Sequence, residues 1–586
     1  MEHALPSSQP TPTPNVDDPT PLVPPTEPAP QPFVLNPQWL LWGILLATVA
    51  LFWPTLRYEF VNWDDSYFIS NNPLVTHKLS WESVKAIFST PVLRGYAPLT
   101  VLSFAIEYNL VGNSPTLYHF DNLVLHLLNV WLVWRIFSKL GLNPYSAGFV
   151  TLLFAVHPMH VESVAWASER KDVLFGLFFL AATDRYLAWH QSGRTATRSL
   201  YLMYGFFALS LFSKIQSVAL PASLIVLDYY LQRPLRWNLV LEKLPLFLLS
   251  LLIGSIGFYF LHSEPKAAGE PIYSLFERLG IGGYGLTVYF MKLILPYEMV
   301  TLYPFPRVGQ LPVIFYVSIA SFFVFFYGVW LAYKANLRTV VTGLMYFMVN
   351  IAFVLQVLDG GQGFKADHYT YIPYLGLFLI LAWLAERFVA GGQASRVYAV
   401  VGVWLLLLGY LSYKQVRVWQ NGYTLWSNVI KSYPDSDRLY RSRANYLLSK
   451  GYPKEALQDY STSIGLGTTD PRTYFSRGVL YAQYRKYPRA FADMTKALKL
   501  LPNFPLYLTS RAEYAFKGNL LPRQAIVNDL TRSIALDPKQ PNAYRYRYLI
   551  FYNAGDGARA LSDADAYLRL NPREPTMYLA RAMALE

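Results

Sequence analysis

Residues 451–464 read GYPKEALQDYSTSI, and residues 486–502 read KYPRAFADMTKALKLLP. Each carries a small residue, Ala456 or Ala490, and an acid three positions on, Asp459 or Asp493. The two sets stand 34 residues apart. The same interval separates Arg443, Arg477 and Arg511, while Asp529 and Asp563 continue the acidic series at 36 and 34. Pro502, Pro538 and Pro572 close successive units at 36 and 34, and Ala525 gives a third small position. A repeat of this length is one supersecondary unit copied along the chain. Small residues where paired helices approach, with Pro at the unit's end, make that unit a helix–turn–helix.

The pattern resembles the tetratricopeptide repeat. About four units run from Asp437, and PTMYLARAMALE (575–586) starts a fifth. Such arrays stack into a curved solenoid whose concave face binds peptide or protein. The repeat tyrosines, Tyr544, Tyr546 and Tyr548 among them, are expected to pack between helices more than to meet a sugar or peptide.

Upstream of the repeats the chemistry changes. The 586-residue chain is 53% hydrophobic and 17% aromatic, and its first two thirds supply most of the apolar runs. Runs near 20 residues read as membrane spans. Eleven stretches qualify: 38–56, 117–139, 146–159, 172–190, 200–213, 216–231, 244–262, 313–333, 339–357, 371–387 and 397–414. The basic connections 190–199, 231–243, 333–338 and 386–396 then share one side, which the positive-inside rule makes cytoplasmic along with the N-terminus. An odd number of spans puts the repeats on the other side. The segment 279–296 breaks this alternation and reads as a re-entrant or surface helix.

The fold class is therefore all-α: a polytopic bundle of about eleven spans, then an α-solenoid. Residues 1–36 are Pro-rich, without a signal peptide's basic-then-apolar order, and read as a disordered cytoplasmic tail. The bundle covers 37–414, a linker helix 415–436 and the repeats 437–586. The net charge of +13 has a home in cytoplasmic loops, and no nucleic-acid module accompanies it, so nucleic acid is not an expected partner. The chain has no Cys, which excludes disulfides and thiolate chemistry and suits a bacterial envelope protein.

The outer loops hold the polar clusters. The first contains RYEFVNWDDSYFISNNPLV (57–75), with Asp64 and Asp65, then Arg94 and Tyr96 in RGYAPLT. The next span begins YHFDNLVLHLLNV, and His119, Asn122, His126 and Asn129 fall on one helical face. Polar residues in a span face a wet cavity or hydrogen-bond between helices, and for His126 and Asn129 the second reading leads. HPMHVESVAWASERKDVL (157–174) adds His157, His160, Glu162, Glu169, Arg170, Lys171 and Asp172. It lacks the zinc spacing H-E-x-x-H, so no metal site is expected. Arg170 and Lys171 at a helix start suit a phosphate, set against an ordinary interface loop. LDGGQGFKADHYTYIP (358–373) places Lys365, Asp367, His368, Tyr369 and Tyr371 after Gly360, Gly361 and Gly363, as if to close over an anionic lipid head.

Read in order, FVNWDDSYFISNNPLV, PLTVLSFAIEYNLVGNSPTLYHFDNLVLHLLN, HPMHVESVAWASERKDVL, ERLGIGGYGLTVYFMKLILP and ADHYTYIP, followed by the repeats, resemble the transmembrane and tetratricopeptide repeat O-mannosyltransferase family, of the GT-C glycosyltransferases. The resemblance spans about 38–586 and is nearest to bacterial members. It implies a polyprenyl- or dolichyl-phosphate sugar donor, usually mannose, a Ser or Thr hydroxyl of a protein as acceptor, and inversion at the anomeric carbon. It also implies that the first acid of the first outer loop, Asp64, is the base. Two positions depart from the family pattern: Ala97 before PLT, and His368, where many relatives have Arg.

The residues fit such a transfer. An acceptor hydroxyl needs a base. A departing lipid phosphate needs cations rather than an acid, and Arg94, Arg170, Lys171, Lys365 and His368 are candidates. Neighbouring acids point in different directions, so the two have separate roles: with Asp64 the base that the resemblance implies, Asp65 serves orientation or a substrate hydroxyl, against the plainer reading that both cap the next turn. Donor phosphate or sugar contacts are assigned to Arg94, Tyr96, His119, His157, His160, Glu162, Arg170, Lys171, Lys365, Asp367, His368 and Tyr369. The lipid-phosphate sugar is the donor, and a divalent metal is possible but not expected. The expected partners are that donor, membrane lipids and an acceptor protein delivered by the repeats. The expected location is a bacterial cytoplasmic membrane with the repeats outside. A lipid-linked glycan polymerase, ligase or flippase, or a non-catalytic scaffold, are the competing readings.

Overall fold

The computed structural model describes residues 36–93, 95–234, 236–263, 273–305, 311–357 and 363–585. The disorder expected of 1–36 lies, apart from Asn36, outside the described residues, as do Arg94, Gly360 and Gly361. Helices make up the described chain; its one extended pairing is an isolated bridge between Val92 and Gly95.

The expectation of eleven spans is corrected. Among the described residues, five helical runs are long and apolar enough to cross a membrane: Pro37–Arg57, Pro115–Lys139, Leu244–Ser263, Val313–Lys334 and Tyr374–Val418. A sixth counts if Pro144–Val156 and Pro158–Ala165, bent by 52°, form one span. The shortfall has physical causes. Pro98–Val111, Ile215–Tyr230 and Arg338–Val354 are apolar but short. Thr197–Ser213 stops at 17 residues, below the roughly 20 a bilayer needs. Arg170–Gln191 is long enough but carries Arg170, Lys171, Asp172, Asp184 and Arg185. The stretches 371–387 and 397–414 fall in one 45-residue run. That run is interrupted at Gly392, whose φ of +81° lies in the left-handed region. The segment 279–296 forms a capped helix, Leu275–Ile294, that is not among the five.

Pro115–Lys139 organises the bundle, packing against Pro37–Phe52, Pro144–Val156 and Arg170–Gln191. Its polar face is used between helices. His126 Nδ1 lies 2.8 Å from Tyr371 Oη, and Asn129 donates to that oxygen and to Val173 O, both at 2.9 Å. Asn122 donates to Trp166 O at 3.1 Å. These bonds satisfy groups that would otherwise be costly to bury.

From Asp437 to Met583 helix follows helix, each packing on the next in sequence. The residues that mark the period bond to each other. Arg443 reaches Asp459, Arg477 reaches Asp493, Arg511 reaches Asp529 and Arg547 reaches Asp563, each through two nitrogens. Arg443, Arg477 and Arg547 also donate to Ser427, Ser461 and Thr531 of the preceding helix. One guanidinium thus ties three helices in a fixed fork geometry.

Candidate active site

The first span ends in a 3-10 turn, Trp53–Arg57, and the chain runs on to a short helical segment, Ser66–Ser70. The two acids precede that segment and separate. Asp65 is buried, and its carboxylate accepts from Val61 N at 2.8 Å and from Ser168 N at 2.9 Å. It ties the first loop to the 166–169 turn and makes no side-chain cap on the helix that follows. Burial outweighs these bonds and pushes its carboxyl up to about 6. Asp64 lines a cavity of about 550 Å³ instead.

Behind Asp64 lies a buried ionic network. Lys171 Nζ stands 4.0 Å from Asp64 Oδ2 and 3.1 Å from Glu169. Glu169 also meets Lys214 at 2.9 Å, and Lys214 reaches Asp172 at 2.6 Å. Ser163 donates to Asp172 at 2.9 Å. His368 closes the network, with Nδ1 3.1 Å from Glu162 and Nε2 3.7 Å from Glu169. Two ammonium groups hold Glu169 ionised, well below the usual carboxylate range, against its burial. Burial pushes His368 down to about 3, so it is neutral at pH 7 and supplies no cation.

An aromatic wall flanks the cavity. Trp63 stacks on Trp166 with centroids 4.8 Å apart, and Trp166 on Trp419 at 5.0 Å. Trp426 meets Trp63 at 5.7 Å and donates its indole N–H to Asn62 at 2.9 Å. Asn62 in turn donates to Ser442 O at 2.8 Å, and Glu59 accepts from Tyr446 and pairs with Lys450, both at 2.9 Å. These contacts seat the Gly422–Ser432 helix and the first repeat against the Asp64 loop.

The other assigned residues divide. Lys171, Glu162, His368 and Tyr369 join the network, Tyr369 with its ring 5.9 Å from Lys214 Nζ. Lys365 is buried over the Tyr303 ring at 4.0 Å, beside Asp367, which pairs with Lys292 at 2.9 Å. Burial and the Lys292 charge push Lys365 down to about 7. Arg170 is not brought to the cavity. Its guanidinium is taken up by Glu107, by Asn122 at 2.8 Å and by Tyr118 O at 2.7 Å, locking Pro98–Val111 to Pro115–Lys139. His157 and His160 face carbonyls at 3.1 and 2.9 Å, those of Leu293 and Phe154. His119 is buried beside the Tyr58 ring, and Tyr96 donates to Phe88 O at 3.0 Å.

Glu169, Asp172 and His368 bring ligand atoms within 4.8 Å of one another, a spacing that suits a metal ion. The Lys214 ammonium already bonds both carboxylates there. A divalent ion would have to displace it. Lys214 is not singled out by the motifs of the sequence, yet it carries a signal there: a lone lysine between two apolar runs needs a buried partner.

No family model matches the chain. Curated relatives do. A Caenorhabditis elegans protein O-mannosyl-transferase is 23% identical over 424 residues, 69% of this chain and 59% of its own length. Human TMTC1 is 23% identical over 70% of this chain and 53% of its own, and Drosophila melanogaster Tmtc3 25% over 70% and 52%. All three carry the name protein O-mannosyl-transferase. The chain spans about half to three fifths of their length. Among solved structures, a TPR protein described as having an unusual peptide-binding site, YrrB, overlaps 36% of this chain and 91% of its own, at 13% identity and a TM-score of 0.25.

Proposed function

We propose that the chain is a membrane glycosyltransferase that moves a sugar, mannose by analogy with the named relatives, from a polyprenyl-phosphate donor to a Ser or Thr hydroxyl of a protein. The observation that carries this reading is the position of Asp64, on a cavity shared by the first loop and the first repeats. A base there meets both a donor arriving from the bundle and a polypeptide arriving from the repeats. Similarity to O-mannosyl-transferases supports the reaction class.

In this mechanism Asp64 takes the acceptor hydroxyl proton as the oxygen attacks the anomeric carbon. The new C–O bond forms on the face opposite the breaking bond to phosphate, so configuration inverts. The lipid phosphate leaves as an anion, with Lys171 and Lys365 assigned as the cations that meet it. Lys171 also places a positive charge 4.0 Å from the Asp64 carboxylate. Asp65, Trp63 and Trp166 hold the loop so that this geometry is preformed. The GT-C assignment, a bacterial cytoplasmic membrane and an outward-facing site belong to the same reading.

Mass spectrometry of envelope proteins from cells expressing wild-type or Asp64→Asn protein tests it. The expected result is a hexose increment on Ser or Thr peptides that disappears in the variant while the protein still folds and inserts. Equal modification by both would overturn the base assignment, and a sugar found only on lipid-linked glycans would overturn the acceptor class.

A further inference from the structure

The cavity beside Asp64 has a second wall with its own chemistry. Arg438 and Arg441 on the Asp437–Ser449 helix and Arg472 on the Pro471–Gln483 helix line it. Arg441 and Arg472 both pair with Asp470, while Arg438 makes no ion pair among the described residues. Two guanidiniums therefore share one carboxylate, and a third on the same cavity has none. The crowding is felt electrostatically: burial, then the neighbouring Arg472 and Arg438 charges, push Arg441 down to about 10. Phe475 and Tyr507 stand beside them on the same wall. Arg443, Arg477, Arg511 and Arg547 each have an aspartate of their own, whereas Arg441 and Arg472 divide one between them and Arg438 has none among the described residues.

Resting on the reading of the chain as a protein glycosyltransferase, we infer that this wall selects acceptor segments carrying acidic side chains next to the modified hydroxyl. The occupant is a peptide in extended form. Its hydroxyl meets Asp64, and its Asp or Glu side chains, a few residues away at roughly 3.3 Å per residue, meet Arg438, Arg441 and Arg472. The arginines sit on the repeat helices rather than on any of the long apolar helices, which favours a polypeptide over a lipid head. Planar guanidiniums bind carboxylates through two parallel hydrogen bonds. The Asp64 carboxylate on the same cavity repels an acid placed directly at the reacting position, so register as well as charge is selected.

Binding to the full-length protein in detergent, without donor, tests this independently of catalysis. The probe is a fluorescent Ser-containing peptide flanked by Asp, compared with the same peptide flanked by Lys. The acidic peptide is expected to bind about tenfold more tightly at low salt, with the preference shrinking as salt rises. Arg438→Glu combined with Arg472→Glu is expected to abolish or invert the preference, at an unchanged melting temperature. Arg545→Glu, an exposed change outside the cavity, is expected to leave it intact. Equal binding of the two peptides, or a preference that survives the double variant, overturns the inference. So does a double variant that loses phosphatidylglycerol vesicle binding while keeping the peptide preference. A charge preference with no sugar transfer leaves this inference standing and defeats the transferase reading; transfer without charge preference does the reverse.

Discussion

Asp65 illustrates how two adjacent carboxylates come to do different work. Its two oxygens serve Val61 N and Ser168 N in a buried setting, so its removal strands two backbone donors. Asp65→Ala should cost about 2–4 kcal/mol, read as a lower melting temperature, with sugar transfer falling because the Asp64 loop loosens. Its pH dependence has a definite sign. The folded value near 6 lies above the unfolded value, so the folded state binds the proton more readily. Its contribution is fully present below about pH 4 and is lost as pH rises through 6. The wild-type melting temperature should therefore carry a component that falls from pH 4 to pH 6 and is missing in Asp65→Ala. Lys365 behaves the opposite way to a permanent cation. Pushed down to about 7, it is charged below that pH and neutral above it. If it meets donor phosphate, donor KM rises as pH passes upward through 7, and Lys365→Arg flattens that rise; a KM insensitive to both would remove Lys365 from the donor site.

Helix packing in the bundle depends on positions where no side chain fits. A Cβ on Gly343 would lie 2.4 Å from Gly376 O, and one on Gly376 would lie 2.3 Å from Gly343 O. Arg338–Ile351 and Tyr374–Phe388 thus cross backbone to backbone, as small residues allow in membrane bundles. Gly343→Val should force the helices apart and cost at least about 1–3 kcal/mol, seen as a lower melting temperature in detergent. Because Tyr374–Phe388 directly follows the 367–370 turn that carries His368, the same change should also lower transfer. In the repeats the comparable device is the bidentate Arg–Asp pair. The spacing of those residues was visible in the sequence as a period, whereas their bonding to each other appears only once the helices are paired.

At the scale of the molecule, the bundle and the repeats are joined through the site. Asn62 accepts from Trp426 and donates to Ser442 O, so one side chain next to Asp64 holds both the connecting helix and the first repeat. Asn62→Ala should raise hydrogen exchange along 437–449 and lower transfer by roughly tenfold, through misplacement of the acceptor rather than loss of the base. Unchanged exchange with lost activity would instead give Asn62 a direct contact with substrate.

The helical class, the repeat period and the apolar runs could all be read from the chain, because periodicity and composition are local properties; Asp64 is singled out by the family resemblance instead. Residue spacing could not say how many apolar helices are long enough to span. Length depends on where prolines, short helices and buried charges interrupt the runs, and among the described residues five or six helices meet the test where the sequence predicts eleven. Nor could spacing separate Lys171, which reaches Asp64, from its neighbour Arg170, which is consumed by Glu107, Asn122 and Tyr118. Adjacent residues on a helix point about 100° apart, and only the packed neighbours decide which one faces the cavity. Lys214 and Arg438 came from regions far from Asp64 in sequence, and the tertiary fold alone sets them around it.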